Sequence, residues 1–337
     1  AICKADMLLK GNGEQAEYIA YGSTLSADGN ATRQFDFMLA NPPYGKSWKS
    51  DAEKMGGKKD ILDSRFNAYL EDGTPLQMLP KVSDGQLLFL LNNVAKMKSN
   101  TPLGSRIAEV HNGSSLFTGD AGSGESNARR YLFENDLVEA IIALPEGMFY
   151  NTSLGTFIWV LSNKKAPNRK GKVQLINATE MKQSMWKNMG KKNSKITVEH
   201  RREIIRMFTD MEESDVSKVF DNEEFGHWRI TILQPELDSN GYSKKDKKGR
   251  KIVDKNKTDV AIVPFTYPDG VQGYMETEVL PYCADAWVDE KKTQIGYELT
   301  FTKYFFEPRK IRNIEAIASD IKNVEAQMAG ILSEVLS

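Results

Sequence analysis

A chain of 337 residues with 40% hydrophobic and 27% charged side chains can bury a sizeable core and is expected to hold two domains. Its two cysteines, Cys3 and Cys283, stand far apart; that excludes a disulfide framework and makes a reducing cytosol the default, and no apolar run is long enough to span a membrane. A net charge of -1 argues against a uniformly basic nucleic-acid binder, yet positive charge gathers in "KKAPNRKGK" (164–172), "KNMGKKNSK" (187–195) and "KKDKKGRK" (244–251), which leaves local phosphate contact open.

In chain order, Ala1 to Lys10 are good helix formers with no cap and read as a helix already in progress. "GSTL" (22–25) reads as a Ser/Thr turn. The alternation in "FDFMLA" (35–40) predicts a short strand, with Phe35, Phe37 and Leu39 on one face and the whole largely buried. It runs into Asn41-Pro42-Pro43-Tyr44. Proline fixes its own φ, has no N–H and holds the residue before it extended, so this turn is stiff and stops the pairing. In an open α/β sheet ligands sit beyond the carboxyl ends of the strands, where the Asn41 amide, the Pro42 carbonyl and the Tyr44 ring would then lie. The bland reading is a plain Pro-Pro turn after a strand. The chemical one is methylation of an exocyclic amine, a poor nucleophile whose lone pair is delocalised into its ring. Two acceptors, the Asn41 side-chain oxygen and a backbone carbonyl, would draw that nitrogen toward tetrahedral geometry, while the Tyr44 face stacks on the base.

Beyond a polar, Lys- and Gly-rich stretch (45–82), "SDGQLLFLLNNVAKMKS" predicts a helix over 84–98, with a capping box from Ser83 and Gln86 and with Leu87, Leu91 and Val94 on one face. "RIAEVHN", "VEAIIAL" and "TFIWVLSN" read as strands and "SNARRYLFEND" as the helix between them, an alternation that gives an α/β sheet. "GDAGSGES" (119–126) lacks the Lys-Ser/Thr of a P-loop and reads as a turn in which Glu125 or Ser126 starts the next helix, with contact to a substrate as the alternative. Residues 239–258 read as a solvated linker, and "ADAWVDE" (284–290) as an ordered turn with Trp287 buried. His111, His200 and His227 lack ligand spacing, so no metal site is expected. At the carboxyl end Ile314, Ile317, Ile321, Val324, Met328, Ile331 and Val335 are spaced alternately by three and four, an apolar seam suited to another helix or to the helix's own domain.

Asn41-Pro42-Pro43-Tyr44 resembles the catalytic motif of amino-methyltransferases that use S-adenosylmethionine, a group acting on DNA adenine, RNA or a protein glutamine amide. "AICKADMLLKG", "GSTLSADG", "NGSSLFTGDAGSGESNARRYLFENDLVEAIIALPEGMFYNTSLGTFIWVLSNKK" and "EVLPYCADAWVDEKKTQIGYELTFTKYFFE" extend the likeness over nearly the whole chain. Together they resemble the modification subunit of type I restriction-modification systems.

The resemblance implies an α/β fold, a partial Rossmann-like methyltransferase sheet with a helical carboxyl-terminal extension. It divides the chain into a catalytic domain (1–180), a basic helical segment (181–238), a flexible linker (239–258) and a region ending in an assembly helix (259–337). It implies N6 methylation of an adenine flipped out of double-stranded DNA, with Asn41 to Tyr44 catalytic and Phe149 packed beside Tyr44 against the base. Ser23, Thr24 and Asn41 would line the cofactor's adenine, with Ser23 standing where the family usually has an acid or amide. The family's Gly-rich loop and the acidic residue that hold the methionine and ribose parts are expected before Ala1, which would leave the pocket incomplete. A specificity subunit against the terminal helix and a restriction subunit in the full complex are the implied partners. The alternatives are a catalytically silent interaction module, or a methyltransferase of RNA or protein glutamine.

Overall fold

A computed structural model describes residues 2–70, 73–150, 152–306 and 313–336, with 330–336 given by backbone alone. Residues 1–301 form one compact unit and 302–337 a second, so the divisions expected at 180, 238 and 258 all fall inside the first.

The apolar runs read as strands do pair. In chain order they are β1 (Phe37–Ala40), β2 (Arg106–Asn112), β3 (Val138–Leu144), β4 (Thr156–Ser162), β5 (Lys172–Asn177) and β6 (Ser217–Asp221), in one sheet ordered β1-β2-β4-β3-β5-β6. β1 is parallel to β2, β3 is parallel to β5, and β4 lies antiparallel between β2 and β3. Hence β1, β2, β3 and β5 all point their carboxyl ends to one edge. β3 is buried along its whole length, as its apolar run Ala140–Leu144 requires, and the Glu139 that interrupts the strand's apolar sequence is paired with Arg106 at 2.8 Å.

Helices cover both faces, because period-2 alternation sends neighbouring side chains to opposite sides. On one face Ile204 and Met207 of α3 (Val198–Asp210) close over Ile142, Val160 and Ile176. On the other, Phe133 of α2 (Gly124–Glu134) lies 6.4 Å from the Trp159 ring. The helix predicted over 84–98 is shorter, α1 (Gln86–Val94), and buries Leu88 and Leu90 as well as Leu87 and Leu91. Its N-cap is Gly85 with no side-chain cap bond, so Ser83 stands too early in the chain to cap it.

Two expectations fail on tertiary grounds. β1 is the sheet's edge strand, and there Met38 is buried while Phe37 and Leu39 are 64% and 85% exposed, the reverse of the predicted pattern. Residues 181–238 hold more strand than helix: a hairpin (Gln183–Met189, Lys192–Lys195), then β6 and β7 (Gly226–Leu233), with α3 the one α-helix described there. β7 pairs with β8 (Asp259–Pro264), β9 (Trp287–Val288) and β10 (Gln294–Tyr297) in a second sheet.

Residues 234–254, between β7 and β8, fold back on themselves rather than forming a bare tether. Glu236 N–H donates to Ile252 and Lys244 N–H to Glu236, while Asp285 accepts from Lys251 Nζ at 2.8 Å. Trp287 beside them is half-buried, not buried. The second unit contains α4 (Ile314–Leu336), capped by Asn313, whose Oδ1 accepts from Glu315 N–H at 2.6 Å. Among the described residues no helix is long and apolar enough to cross a membrane.

Candidate active site

The Asn-Pro-Pro-Tyr turn leaves the carboxyl end of β1, whose last residue Ala40 pairs with Glu109 of β2. Within it Pro42 is buried, Asn41 and Pro43 are exposed, and Tyr44 is half-buried. Burial pushes the Tyr44 hydroxyl above the usual phenol value, so it is neutral and the ring keeps an uncharged stacking face at physiological pH.

The exit of the turn is clamped. Buried Trp48 donates from its backbone N–H to Val82 at 3.0 Å and from its indole N–H to Lys81 at 3.0 Å. Lys81 N–H in turn donates to Glu125 at 2.7 Å, which ties this segment to the start of α2.

The segment "GDAGSGES" is a turn and cap, with one correction. Ser123, rather than Glu125 or Ser126, caps α2, its side chain accepting from Ser126 N–H. Gly124 is required there: a Cβ on it would lie 1.9 Å from the Leu79 carbonyl oxygen.

Two further loops share the carboxyl edge. The one after β3 carries Phe149, half-buried and packed against the cluster of Ile142, Leu144 and Ile176, so part of the ring serves the core. β3 stands three strands from β1, about 14 Å at ordinary strand spacing. The loop after β2 carries a polar network that the sequence reading missed. Gln86, buried at the start of α1, donates to Asp84 (2.6 Å), Asn112 (2.8 Å) and Ser114 (2.8 Å) and accepts from Asn112 N–H (3.1 Å). The signal was present in "NGSS" at the end of a predicted strand, at the same edge as the Asn-Pro-Pro-Tyr turn.

Ser23 and Thr24 are both half-buried in a turn held from below. The Ser23 hydroxyl accepts from Leu25 N–H at 3.3 Å, and Arg65 donates to the Thr24 and Leu25 carbonyls at 2.9 and 2.7 Å while bonding Asn92 of α1. Burial alone would raise the Asp28 and Asp63 carboxyls. The hydrogen bonds from Lys96 to Asp28 and from Arg65 to Asp63 hold them below the usual carboxylate value instead. The link to the Asn-Pro-Pro-Tyr turn is Ser26, which donates to Asp51 at 2.5 Å on the helix Lys49–Lys54 just past Tyr44. Among the described residues no hydrogen bond joins Ser23 or Thr24 to Asn41 or Tyr44 directly.

A second hub was also invisible in the sequence. Arg129 of α2 is fully buried and donates to the Tyr297, Ser115 and Thr118 carbonyls, which fastens β10 and the loop after β2 to the main sheet. Burial pushes its guanidinium down to about 10.

On the terminal helix Ile314, Ile317, Ile321, Val324 and Met328 are all exposed, with Ile314 at 83%. The side chains of Ile331 and Val335 lie outside the described residues.

A mixed α/β sheet that carries this turn at the carboxyl end of a parallel strand defines the class, a partial Rossmann-like methyltransferase sheet. Residues 1–258 match the family described as N-6 DNA Methylase, and the chain belongs to that family. It is similar to the type I restriction enzyme MjaIX methylase subunit of Methanocaldococcus jannaschii, 31% identical over 212 residues, covering 62% of this chain and 33% of that protein. The MjaVII methylase subunit of the same organism is 30% identical over 181 residues, covering 53% and 28%. Among solved structures, the type I restriction-modification system methyltransferase subunit from Streptococcus thermophilus superposes with a TM-score of 0.51 at 26% identity, covering 65% of this chain and 41% of that one. The chain thus spans about a third of the length of the curated relatives it matches.

Proposed function

We propose that this chain forms part of a DNA adenine N6-methyltransferase of the type I restriction-modification kind, transferring methyl from S-adenosylmethionine to a flipped adenine. The observation that carries the reading is the exposed Asn41 amide beside the half-buried Tyr44 ring, on a proline-stiffened turn at the carboxyl edge of the sheet, in a chain of the N-6 DNA Methylase family.

Asn41 Oδ1 and the Pro42 carbonyl accept from the two N–H groups of the adenine amine. Both bonds strengthen as the nitrogen becomes tetrahedral, so they stabilise the transition state more than the ground state. Tyr44, and Phe149 with the part of its ring the core leaves open, hold the extruded base by stacking. S-adenosylmethionine, when bound, supplies the electrophilic methyl group. The neutral donors and acceptors of Ser23, Thr24 and Asn41 fit its adenine edge. None of these residues offers a charge for its ammonium or carboxylate, which fits a pocket completed by other residues.

The terminal helix is read as an assembly surface for a specificity subunit, with a restriction subunit in the larger complex. Its support is the row of exposed Ile314, Ile317, Ile321, Val324 and Met328 along a single helix.

Product analysis tests the reaction. The whole methylase subunit, assembled with its specificity subunit, is incubated with methyl-labelled S-adenosylmethionine and duplex DNA, and the DNA is digested to nucleosides. Label in N6-methyladenine is expected. Label found only in RNA or in a protein glutamine would overturn the reading.

A further inference from the structure

Between β5 and β6 in the chain, the hairpin Gln183–Met189 and Lys192–Lys195 takes no part in the reaction derived above. Its two-residue turn starts at Gly190 with φ +63°, the position where a type II′ hairpin turn needs glycine.

The hairpin's charge is one-sided. Residues 181–198 contain Lys182, Lys187, Lys191, Lys192 and Lys195 and neither Asp nor Glu. Among the described residues none of these five lysines has a carboxylate partner. Like charges this close repel one another, and an anionic partner would relieve that repulsion.

It also displays apolar surface that the fold does not cover. Trp186 is 104% exposed, with both faces of the indole open, and Met189 is half exposed.

The hairpin is fixed to the candidate site. Lys191 N–H donates to the Tyr150 carbonyl at 2.9 Å, Asn193 N–H to Gly147 at 2.9 Å, and the Ser194 hydroxyl to Glu146 at 2.6 Å. The approach is close enough that a Cβ on Gly147 would fall 2.0 Å from Asn193 Oδ1. These partners belong to the loop that ends β3 and carries Phe149. Lys192 Nζ stands 5.1 Å from the exposed Tyr150 ring. Between loop and hairpin runs an open polar groove of about 400 Å³, lined by Ser153, Lys182, Asn188 and Lys191 among others, with Glu146 the one acidic residue in its lining.

Lysines without carboxylates, a bare indole and a polar groove, all anchored to the base-stacking loop, fit one ligand chemistry: a phosphate backbone with an unstacked base. We infer that the hairpin 183–195 is a nucleic-acid-contacting arm, its lysines set against backbone phosphates and Trp186 stacked on the bases exposed where the target base leaves the duplex. This rests on the reading of DNA as the substrate and deepens it.

The test compares the whole methylase subunit, assembled with its specificity subunit, with the same assembly carrying Trp186→Ala, Trp186→Phe or the double substitution Lys187→Gln/Lys192→Gln. Each is titrated by fluorescence anisotropy into an intact duplex, and into the same duplex carrying one abasic site opposite an unpaired adenine, over a range of salt. Far-UV circular dichroism checks that the fold is kept, Trp186 and Lys187 being exposed and Lys192 half-buried.

Trp186→Ala is expected to weaken binding of the abasic duplex about tenfold and of the intact duplex much less, with Trp186→Phe restoring most of the loss. The lysine variant is expected to reduce the slope of log affinity against log salt by about two on both duplexes. If the assembly binds DNA and all variants bind it equally, the arm is overturned while DNA as substrate stands. If the unsubstituted assembly binds neither duplex, DNA as substrate falls, and the arm with it. If the variants keep DNA affinity but lose association with a protein subunit, the hairpin is a protein-docking surface and the inference is wrong.

Discussion

Replacing Gln86 by Leu asks how far the polar network behind the catalytic edge holds the sheet and α1 together. Gln86 is 2% exposed, so the substitution changes a buried group of nearly the same volume and leaves helix propensity unaltered. It deletes the donations to Asp84, Asn112 and Ser114 and the acceptor for Asn112 N–H. Each buried polar group left without a partner costs about 1–3 kcal/mol. Asn112 and Asp84 are both half-buried, so each recovers part of its solvation from water. Leu gains about 1 kcal/mol of apolar transfer in return, by the area rule, and the net loss comes to about 2 kcal/mol. Urea unfolding followed by circular dichroism measures it as a lower midpoint at constant slope. Gln86→Glu keeps the shape but turns a donor into an acceptor that faces the Asp84 carboxylate across 2.6 Å. It should cost at least as much at pH 7 and recover as the carboxyls protonate. A loss below about 0.5 kcal/mol for the Leu variant would refute the view that this network organises the edge.

Gly124→Ala should destabilise by about 1–3 kcal/mol despite alanine's better helix propensity, because its Cβ would lie 1.9 Å from the Leu79 carbonyl oxygen. Gly155→Ala, which meets nothing within 4 Å, is the control, and equal thermal stability of the two variants would contradict the packing account. Asp28 and Asp63 have carboxyls held below their unfolded value, so the stability they contribute is present at neutral pH and is lost as pH falls below about 4 through their folded values. Arg65→Met removes part of that depression and should shrink the drop in melting temperature between pH 7 and pH 3; an unchanged drop would count against the Arg65 anchor. Ile321→Asp with Met328→Asp should abolish co-purification with the specificity subunit while leaving residues 1–301 folded, since each charge would be buried at the seam without a partner. Intact assembly would sink the reading of α4 as a partner helix.

Much of the main sheet was legible locally. Val138–Leu144 and Thr156–Ser162 are apolar runs of strand length between turn residues, and Gly124–Glu134 has an amphipathic pattern behind a serine cap, so short-range chemistry is enough to place them. Position in the sheet is a different matter. Phe37 and Leu39 alternate as buried strand residues do, yet β1 is an edge strand with that face uncovered, a consequence of strand order that no local pattern carries. The hairpin at 183–195 was misread because its lysines and serines lack any apolar alternation; glycine at the turn was its one marker. Asn41 and Tyr44 were legible because proline chemistry confines the turn to a strand end. Gln86 and Arg129 were not, since a polar residue inside a helix gives no sign of which backbone groups will surround it.

The most direct test of the central claim is single-turnover methyl transfer by the whole methylase subunit assembled with its specificity subunit, comparing Asn41→Ala with the unsubstituted protein. Removing an acceptor whose bond strengthens as the adenine nitrogen becomes tetrahedral should slow transfer by at least about a hundredfold while DNA affinity is kept. Transfer at a near-normal rate by the Asn41→Ala protein would contradict the assignment of this turn as the catalytic centre.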